Sequence, residues 1–84
     1  MTSHDRRRYG GGTSPLVLNG VAFDRRMREL GYRGEAIKAA AVGTSRTTLH
    51  KLRRGETQVS LALALTIAEK TGLPIGELFL RRTA

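Results

Sequence analysis

TSRTTLHKLRRG, residues 44–55, carries the clearest helix signal in the chain. Two hydroxyl residues open the stretch, and either can cap a helix by accepting the backbone N–H bonds that a first turn leaves free. Gly55 closes it, and glycine is the residue that most readily takes the left-handed conformation in which many helices end. We therefore predict a short helix over residues 45–54.

The two faces of this predicted helix differ in chemistry. Leu49 and Leu52 fall on one face at helical spacing, with Thr48 and Arg53 at its margins. An outer face of hydroxyl, imidazole and cationic groups suits a groove of nucleic acid, although a basic helix face is commonly only a solvated surface. The residues on that outer side are Arg46, Thr47, His50, Lys51 and Arg54.

The composition of the 84-residue chain limits the alternatives. Fifteen Lys and Arg against seven Asp and Glu give a net charge of +8, which favours a polyanionic partner: DNA, RNA or an anionic membrane surface. With no cysteine and two histidines, disulfides and thiolate sites are excluded, and no metal site is expected. No apolar run approaches the roughly 20 residues of a membrane-spanning helix, and no secretory signal is visible. We expect one small cytoplasmic domain without a cofactor.

The chain divides into a predicted tail and a predicted domain. Residues 1–15 combine three arginines with a triple glycine and show no periodicity, which indicates a flexible basic tail. This tail is either a plain solubilising end or a mobile arm that contacts phosphates or the minor groove. Residues 16–84 are expected to form the domain. Its first segment, Leu16–Leu18, either runs extended against the helices or leads into the first of them.

A helix-turn-helix pattern precedes and includes the central stretch. The first helix is predicted over residues 21–30, with Asn19 as its cap, and the second over residues 34–41. Val42 and Gly43 then break the chain before the third helix begins. Two short helices joined by a glycine-containing turn, of which the second exposes a polar face, are typical of helix-turn-helix motifs.

Two further helices are predicted after Gly55. The first covers residues 61–71, and we expect Leu61, Leu65 and Ala68 to form its buried seam, with Ala64 and Ile67 flanking it. The second begins near Pro74 and carries more apolar residues than one face of so short a helix can bury. This surplus either completes the core or forms a surface for a second subunit. The candidate residues of that dimer surface are Ile75, Phe79 and Leu80.

These segments resemble the lambda-repressor-like, Cro/C1-type (XRE) helix-turn-helix family. The resemblance covers roughly residues 21–79. It is carried by SRTTLHKLRRG at residues 45–55, by SL at 60–61 with LTIA at 65–68, and by GLPIGELF at 72–79. Each motif is weak alone, but all three come in the family's order and near its distances. The resemblance implies an all-α, compact five-helix domain whose third helix enters the major groove of double-stranded DNA.

The resemblance also implies roles for individual residues. Arg46, Thr47 and Lys51 match the places that contact bases. Arginine and lysine can donate to guanine O6 and N7, and threonine suits a polar base edge or a thymine methyl group. The places near the phosphates are matched by Ser45, His50 and Arg54.

Two departures from the family pattern leave parts of this site open. Members usually begin the second helix with Ser or Thr followed by a Gln that anchors to DNA. Here Arg33 and Gly34 occupy those places, with Glu35 next, so Arg33 is the expected replacement as a phosphate contact. The segment between residues 39 and 44 is also one residue longer than usual. Residues 33–54 nevertheless contain six Lys or Arg and one Glu, which concentrates positive charge near the expected groove face.

We therefore expect a sequence-specific DNA-binding transcriptional regulator of repressor or Cro type. It would act as a homodimer on DNA, without a small-molecule effector. The alternative is a protein-interaction module, or an antitoxin-like or coactivator-like protein, with the same fold and little base readout. RNA binding is less favoured because the chain has few aromatic residues on which bases could stack. An enzyme is not expected, because Ser45 and His50 would lie about 140° apart around the helix.

Overall fold

The computed structural model describes residues 14–82, which form five helices and one two-stranded sheet. In chain order the elements are β1 (Leu16–Leu18), α1 (Gly20–Glu29), α2 (Glu35–Ala41), α3 (Arg46–Arg54), α4 (Leu61–Thr71), α5 (Ile75–Leu78) and β2 (Phe79–Arg81). The prediction of a mostly helical, five-helix domain is confirmed. The sheet is a departure from the all-α class that the sequence favoured.

The sheet joins the two ends of the described chain. β1 and β2 pair antiparallel, with Leu16 opposite Arg81 and Leu18 opposite Phe79. The backbone N–H of Arg82 extends this ladder by donating to the carbonyl oxygen of Pro15 at 2.6 Å. The predicted last helix therefore ends at Leu78, because the residues that follow it find a backbone partner in β1.

The core lies between the helices and the sheet. The backbone N–H of Asn19 donates to the carbonyl oxygen of Leu78 at 2.7 Å, which joins the start of α1 to α5. The Arg26 side chain donates through Nε to the carbonyl oxygen of Thr71 at 2.7 Å, which joins α1 to the end of α4. The largest fully buried apolar side chains are Phe23, Met27, Leu49, Ile67, Leu78 and Val42.

The buried face of α4 differs from the prediction. Leu61 is 72% exposed and Leu65 is 47% exposed, whereas Ala64 and Ile67 are buried together with Thr71. The Thr71 hydroxyl donates to the carbonyl oxygen of Ile67 at 2.7 Å, so this polar group is satisfied inside the core. Since α4 is apolar around much of its circumference, periodicity could not select the correct face, and a threonine on the buried side concealed it.

The folded unit begins before the predicted boundary at residue 15. Ser14 is buried, and its backbone N–H donates to the carbonyl oxygen of Gly55 at 2.8 Å. Pro15 accepts the bond from Arg82 described above. Ser14 and Pro15, which the sequence places in the predicted tail, are therefore hydrogen-bonded to the folded unit. The rest of the predicted tail, residues 1–13, lies outside the described residues.

Gly55 lies where the end of α3 meets β1 and the Arg82 side chain. It ends α3 in the left-handed conformation, with φ at +70°. A Cβ atom at this position would lie 2.7 Å from Cγ1 of Val17 and 2.8 Å from Cζ of Arg82. Glycine is thus required here both by its backbone conformation and by the close approach of β1 and the Arg82 side chain.

Gly55→Ala and Gly72→Ala should separate these two requirements. Gly72 ends α4 with φ at +74° but has open space around it, so its replacement should cost only about 1–2 kcal/mol of left-handed strain. Gly55→Ala adds steric overlap and should cost roughly 1–3 kcal/mol more. Urea unfolding of both variants measures the difference. Equal losses would contradict the packing of β1 and Arg82 against the end of α3.

Candidate nucleic-acid interface

The helix pair α2 and α3 presents the residues that the sequence singled out. Residues 42–45 connect the two helices, and Val42 in this connection is buried. The Ser45 hydroxyl accepts the backbone N–H of Thr48 at 3.0 Å, which caps α3. α3 therefore begins at Arg46, one residue after the predicted start, and ends at Arg54 as predicted.

The four cations of α3 fall into two groups. Arg46 and Lys51 are exposed, and among residues 14–82 no carboxylate pairs with either of them. Arg54 is also largely exposed but lies 2.8 Å from the carboxylate of Glu56. Arg53 alone turns inward, with its side chain 20% exposed. Within residues 14–82, α3 thus carries Arg46 and Lys51 unpaired on its outer face and Arg53 paired on its inner side.

Arg53 binds two carboxylates at the same time. Its Nη1 and Nη2 donate to the two carboxylate oxygens of Asp24 in α1, at 2.9 and 2.7 Å. Its Nε and Nη2 donate to those of Glu35 in α2, at 2.7 and 2.9 Å. Paired N–H bonds of this kind are among the stronger and more directional contacts in proteins. They attach α3 to both preceding helices.

Two further contacts complete this cluster. Nζ of Lys38 donates to Asp24 Oδ1 at 2.9 Å, and the Arg53 guanidinium lies 5.7 Å from the centre of the Phe23 ring. Two cations are therefore matched by two carboxylates. Two of the six cations that the sequence placed near the groove, Lys38 and Arg53, are thereby neutralised inside the domain.

The cluster shifts the pKa values of Asp24 and Arg53. Burial raises the pKa of the Asp24 carboxyl, but hydrogen bonds from Arg53 and Lys38, together with their charges, outweigh burial and hold that pKa below its usual range. The hydrogen bond to Asp24 raises the pKa of the Arg53 guanidinium, against the opposing effect of burial and with the help of Glu35. Asp24 and Arg53 are consequently both charged at neutral pH.

Three of the predicted DNA-contacting residues lie together. Arg46, Thr47 and His50 line one groove with Glu35, and its volume is about 270 Å³. All three side chains are exposed. The groove offers a cation, a hydroxyl, an imidazole and the edge of a carboxylate within one small area. A base edge or a phosphate approaching α3 would meet these groups together.

Ser45 and Arg33 differ in what they can offer a phosphate. The Ser45 hydroxyl donates its proton to Oγ1 of Thr48 at 3.0 Å while it caps the helix, so in this arrangement it has none left for a phosphate oxygen. The phosphate contact of Ser45 stays a prediction. Arg33 is exposed and lines a separate depression beside Asp24 and Lys38.

The predicted dimer surface is only partly available. Ile75 and Leu80 are 38% and 45% exposed, but Phe79 is buried with 6% exposed. Phe79 is the first residue of β2 and faces the core, which removes it from any surface of the protomer. Leu61 on α4 and Val21 on α1 are the most exposed large apolar residues in the described part of the chain, at 72% each.

Sequence reasoning missed the partners of Arg53 and the position of Arg82. Asp24 and Glu35 were visible as two of only three carboxylates between Gly20 and Gly55, which is a signal for an internal ion pair. The sequence could not indicate which of many cations they bind. Arg82 reaches the end of α3 only because β2 returns beside β1, and no local pattern revealed that pairing.

Comparisons of the chain with protein-family models, with curated proteins and with solved structures find no match. None of the helices in residues 14–82 has the length and apolar character needed to cross a membrane. In the same residues, no group of three His, Asp or Glu side chains is arranged to hold a metal ion. The assignment of a function therefore depends on the residues and geometry described above.

Asp24→Asn should destabilise the domain, because it leaves Arg53 and Lys38 without a charged partner in α1. For a partly exposed network we expect a loss of about 1–2 kcal/mol at neutral pH. Because the pKa of Asp24 is lowered in the folded state, its contribution is complete above the unfolded value of about 3.9 and declines as the pH falls below it. The difference between the wild type and Asp24→Asn should therefore shrink in acid.

Urea unfolding at neutral pH and in acid measures this effect. Glu29→Gln is the matched control, because it removes an exposed pair with Arg26 on the same helix and should cost less than about 0.5 kcal/mol. Similar losses in the two variants at neutral pH would contradict a structural role for the Arg53 cluster.

Proposed function

We propose that the chain is a sequence-specific double-stranded DNA-binding protein, a transcriptional regulator of repressor or Cro type. In this proposal residues 14–82 form a lambda-repressor-like helix-turn-helix domain, and α3 lies in the major groove. Arg46, Thr47 and Lys51 contact bases. Arginine and lysine donors suit guanine, while the threonine suits a polar base edge or a thymine methyl group.

The division of cations on α3 carries this proposal. Arg46 and Lys51 are exposed and have no carboxylate partner among the described residues, whereas Arg53 of the same helix is bound inward by two carboxylates. A basic helix whose outer face meets only solvent does not require one cation to be bound inward while the others are left unpaired. The arrangement leaves free donors on one side of α3 and holds that side in a fixed orientation, which is what readout of base edges requires.

Phosphate contacts would surround this central group. Arg33, His50 and Arg54 are exposed and lie on α3 or just before α2. The backbone N–H groups of Arg46 and Thr47, which precede the capped N–H of Thr48, have no partner within the helix by its geometry and can donate to a phosphate oxygen. These contacts would hold the protein on the duplex without distinguishing one sequence from another.

A homodimer on DNA is part of the proposal. Two copies would double the contacts and match a two-fold symmetric site, whose half-sites are spaced by whole turns of the duplex. Ile75 and Leu80 are the members of the predicted surface that remain exposed. Such a regulator needs no small-molecule effector and would act at the nucleoid in the cytoplasm.

A protein-interaction module, related in role to antitoxins or coactivators, is the second candidate. The observation that favours it is the exposure of Leu61 and Leu65 on one side of α4, four residues apart. The place of the family's DNA-anchoring Gln is also not filled by an amide, and the nearby Glu35 is engaged with Arg53. These features fit a domain that keeps the fold but binds a protein.

Selection from a random duplex library distinguishes the two candidates. We expect an enriched site, preferably palindromic, with an affinity at least about tenfold higher than that of a scrambled duplex at near-physiological salt. The spacing of its half-sites would report the geometry of the dimer. Salt-sensitive binding that is equal for all sequences would overturn the first proposal and support the interaction module.

Arg46→Ala and Lys51→Ala should each weaken binding to the selected site by about 1–3 kcal/mol and relax its specificity, because each removes donors to base edges. Arg25→Ala is the control, since Arg25 is an exposed cation on the side of α1 away from Phe23. Fluorescence anisotropy titrations on the selected and scrambled duplexes measure the effect. If both α3 variants behave like Arg25→Ala, the recognition helix has been assigned wrongly.

A further inference from the structure

We propose that Arg82, which follows β2, is an additional phosphate-binding residue of the DNA interface and acts beside Arg54 at the C-terminal end of α3. This inference rests on the proposed function, since it supplies a contact to the same duplex. It adds a part of the chain that is distant in sequence from the helix-turn-helix and lies outside the predicted contacts. Its basis is the position, packing and charge of the Arg82 side chain.

The backbone of Arg82 is held by the sheet. β2 pairs with β1 up to Arg81, and the N–H of Arg82 donates to Pro15 at 2.6 Å. The N–H of Ser14, next to Pro15, donates in turn to the carbonyl oxygen of Gly55. The end of β2 is therefore attached through β1 to the end of α3, which brings two segments of the chain 28 residues apart into contact.

The guanidinium of Arg82 lies directly against the last turn of α3. Its Nη2 donates to the carbonyl oxygen of Arg54 at 2.8 Å. Its Cζ would be 2.8 Å from a Cβ atom at Gly55, so the absence of a side chain there leaves the space that the guanidinium occupies. This packing fixes the direction of an otherwise flexible side chain, which reduces the entropy lost when it binds a ligand.

The Arg82 guanidinium has more N–H donors than its contact with the end of α3 uses. An arginine has five N–H donors, and the bond to Arg54 takes one of them. Among the described residues no carboxylate pairs with Arg82, and the residue is exposed. The competing explanation is that Arg82 only caps the helix end, where a cation is favoured. A cap leaves the remaining donors to water, whereas a phosphate oxygen can accept them.

The surroundings favour a phosphate of a duplex. Lys51 and Arg54 are three residues apart and are therefore neighbours on the surface of α3. Arg82 lies against the carbonyl oxygen of Arg54 at the end of the same helix, so it adds a third cation close to the C-terminal end of α3. Glu56 is the one carboxylate that pairs with any of them within residues 14–82. A group of cations at the end of a recognition helix suits the phosphates that flank the major groove.

The test compares Arg82→Gln, Arg82→Lys and the control Arg25→Gln in the full chain. The probes are the selected duplex and its scrambled version, titrated between about 50 and 200 mM salt. Arg82→Gln should weaken binding to both duplexes equally, by roughly three- to tenfold, which is the size of one ordinary hydrogen bond. It should also reduce the slope of log affinity against log salt by about 0.9. Arg82→Lys should keep that slope, because it keeps the charge, and Arg25→Gln should change neither quantity.

Two results would overturn the inference. If Arg82→Gln matches Arg25→Gln in affinity and slope, Arg82 is only a cap of α3. If Arg82→Gln and Arg82→Lys lose binding equally while both unfold at lower temperature, the role is structural. The proposed function fails separately, when the wild type does not prefer the selected duplex. The slope of Arg82→Gln on the scrambled duplex still decides the role of Arg82 in that case.

Discussion

The guanidinium of Arg53 holds two carboxylates at once, and the orientation of α3 depends on this. Its four hydrogen bonds to Asp24 and Glu35 all measure between 2.7 and 2.9 Å. Because the donors of arginine lie in one plane, such bonds fix the rotation of α3 about its own axis as well as its distance from α1 and α2. Burial of Leu49 and Leu52 holds the helix against the core, but apolar burial is not directional. The hydrogen bonds of Arg53 to Asp24 and Glu35 fix the orientation of α3 that apolar burial leaves open.

The same cluster determines which charges are available to a partner. Because Arg53 is paired inside the domain, the unpaired cations of α3 lie on its outer side, where neither Arg46 nor Lys51 pairs with a carboxylate of residues 14–82. At the C-terminal end of α3 the β1–β2 sheet positions another cation, because it brings Arg82 against Gly55. The packing of this domain therefore also determines where its unpaired cations lie. Residues outside α3 determine which charges its outer face presents.

Much of the fold could be predicted from local signals, and the failures have identifiable causes. Asn19, Ser45 and Ser60 cap helices through their own side chains, so residue type alone marked those starts. The buried face of α4 was missed because an almost uniformly apolar helix gives no angular contrast. The sheet and the contacts of Arg53 and Arg82 link residues far apart in sequence, which no periodicity encodes. For the candidate site, the sequence indicated the outer face of α3 but could not separate free cations from paired ones.

Amide chemical-shift mapping would show whether nucleic acid binds to the outer face of α3. A ¹⁵N-labelled sample of the full chain would be titrated at low salt with a duplex of about two helical turns. We expect the largest shift changes in residues 46–54, with further changes at Arg33 and Arg82. Changes centred on Leu61 and Leu65, with α3 unaffected, would contradict it and place the binding surface on α4.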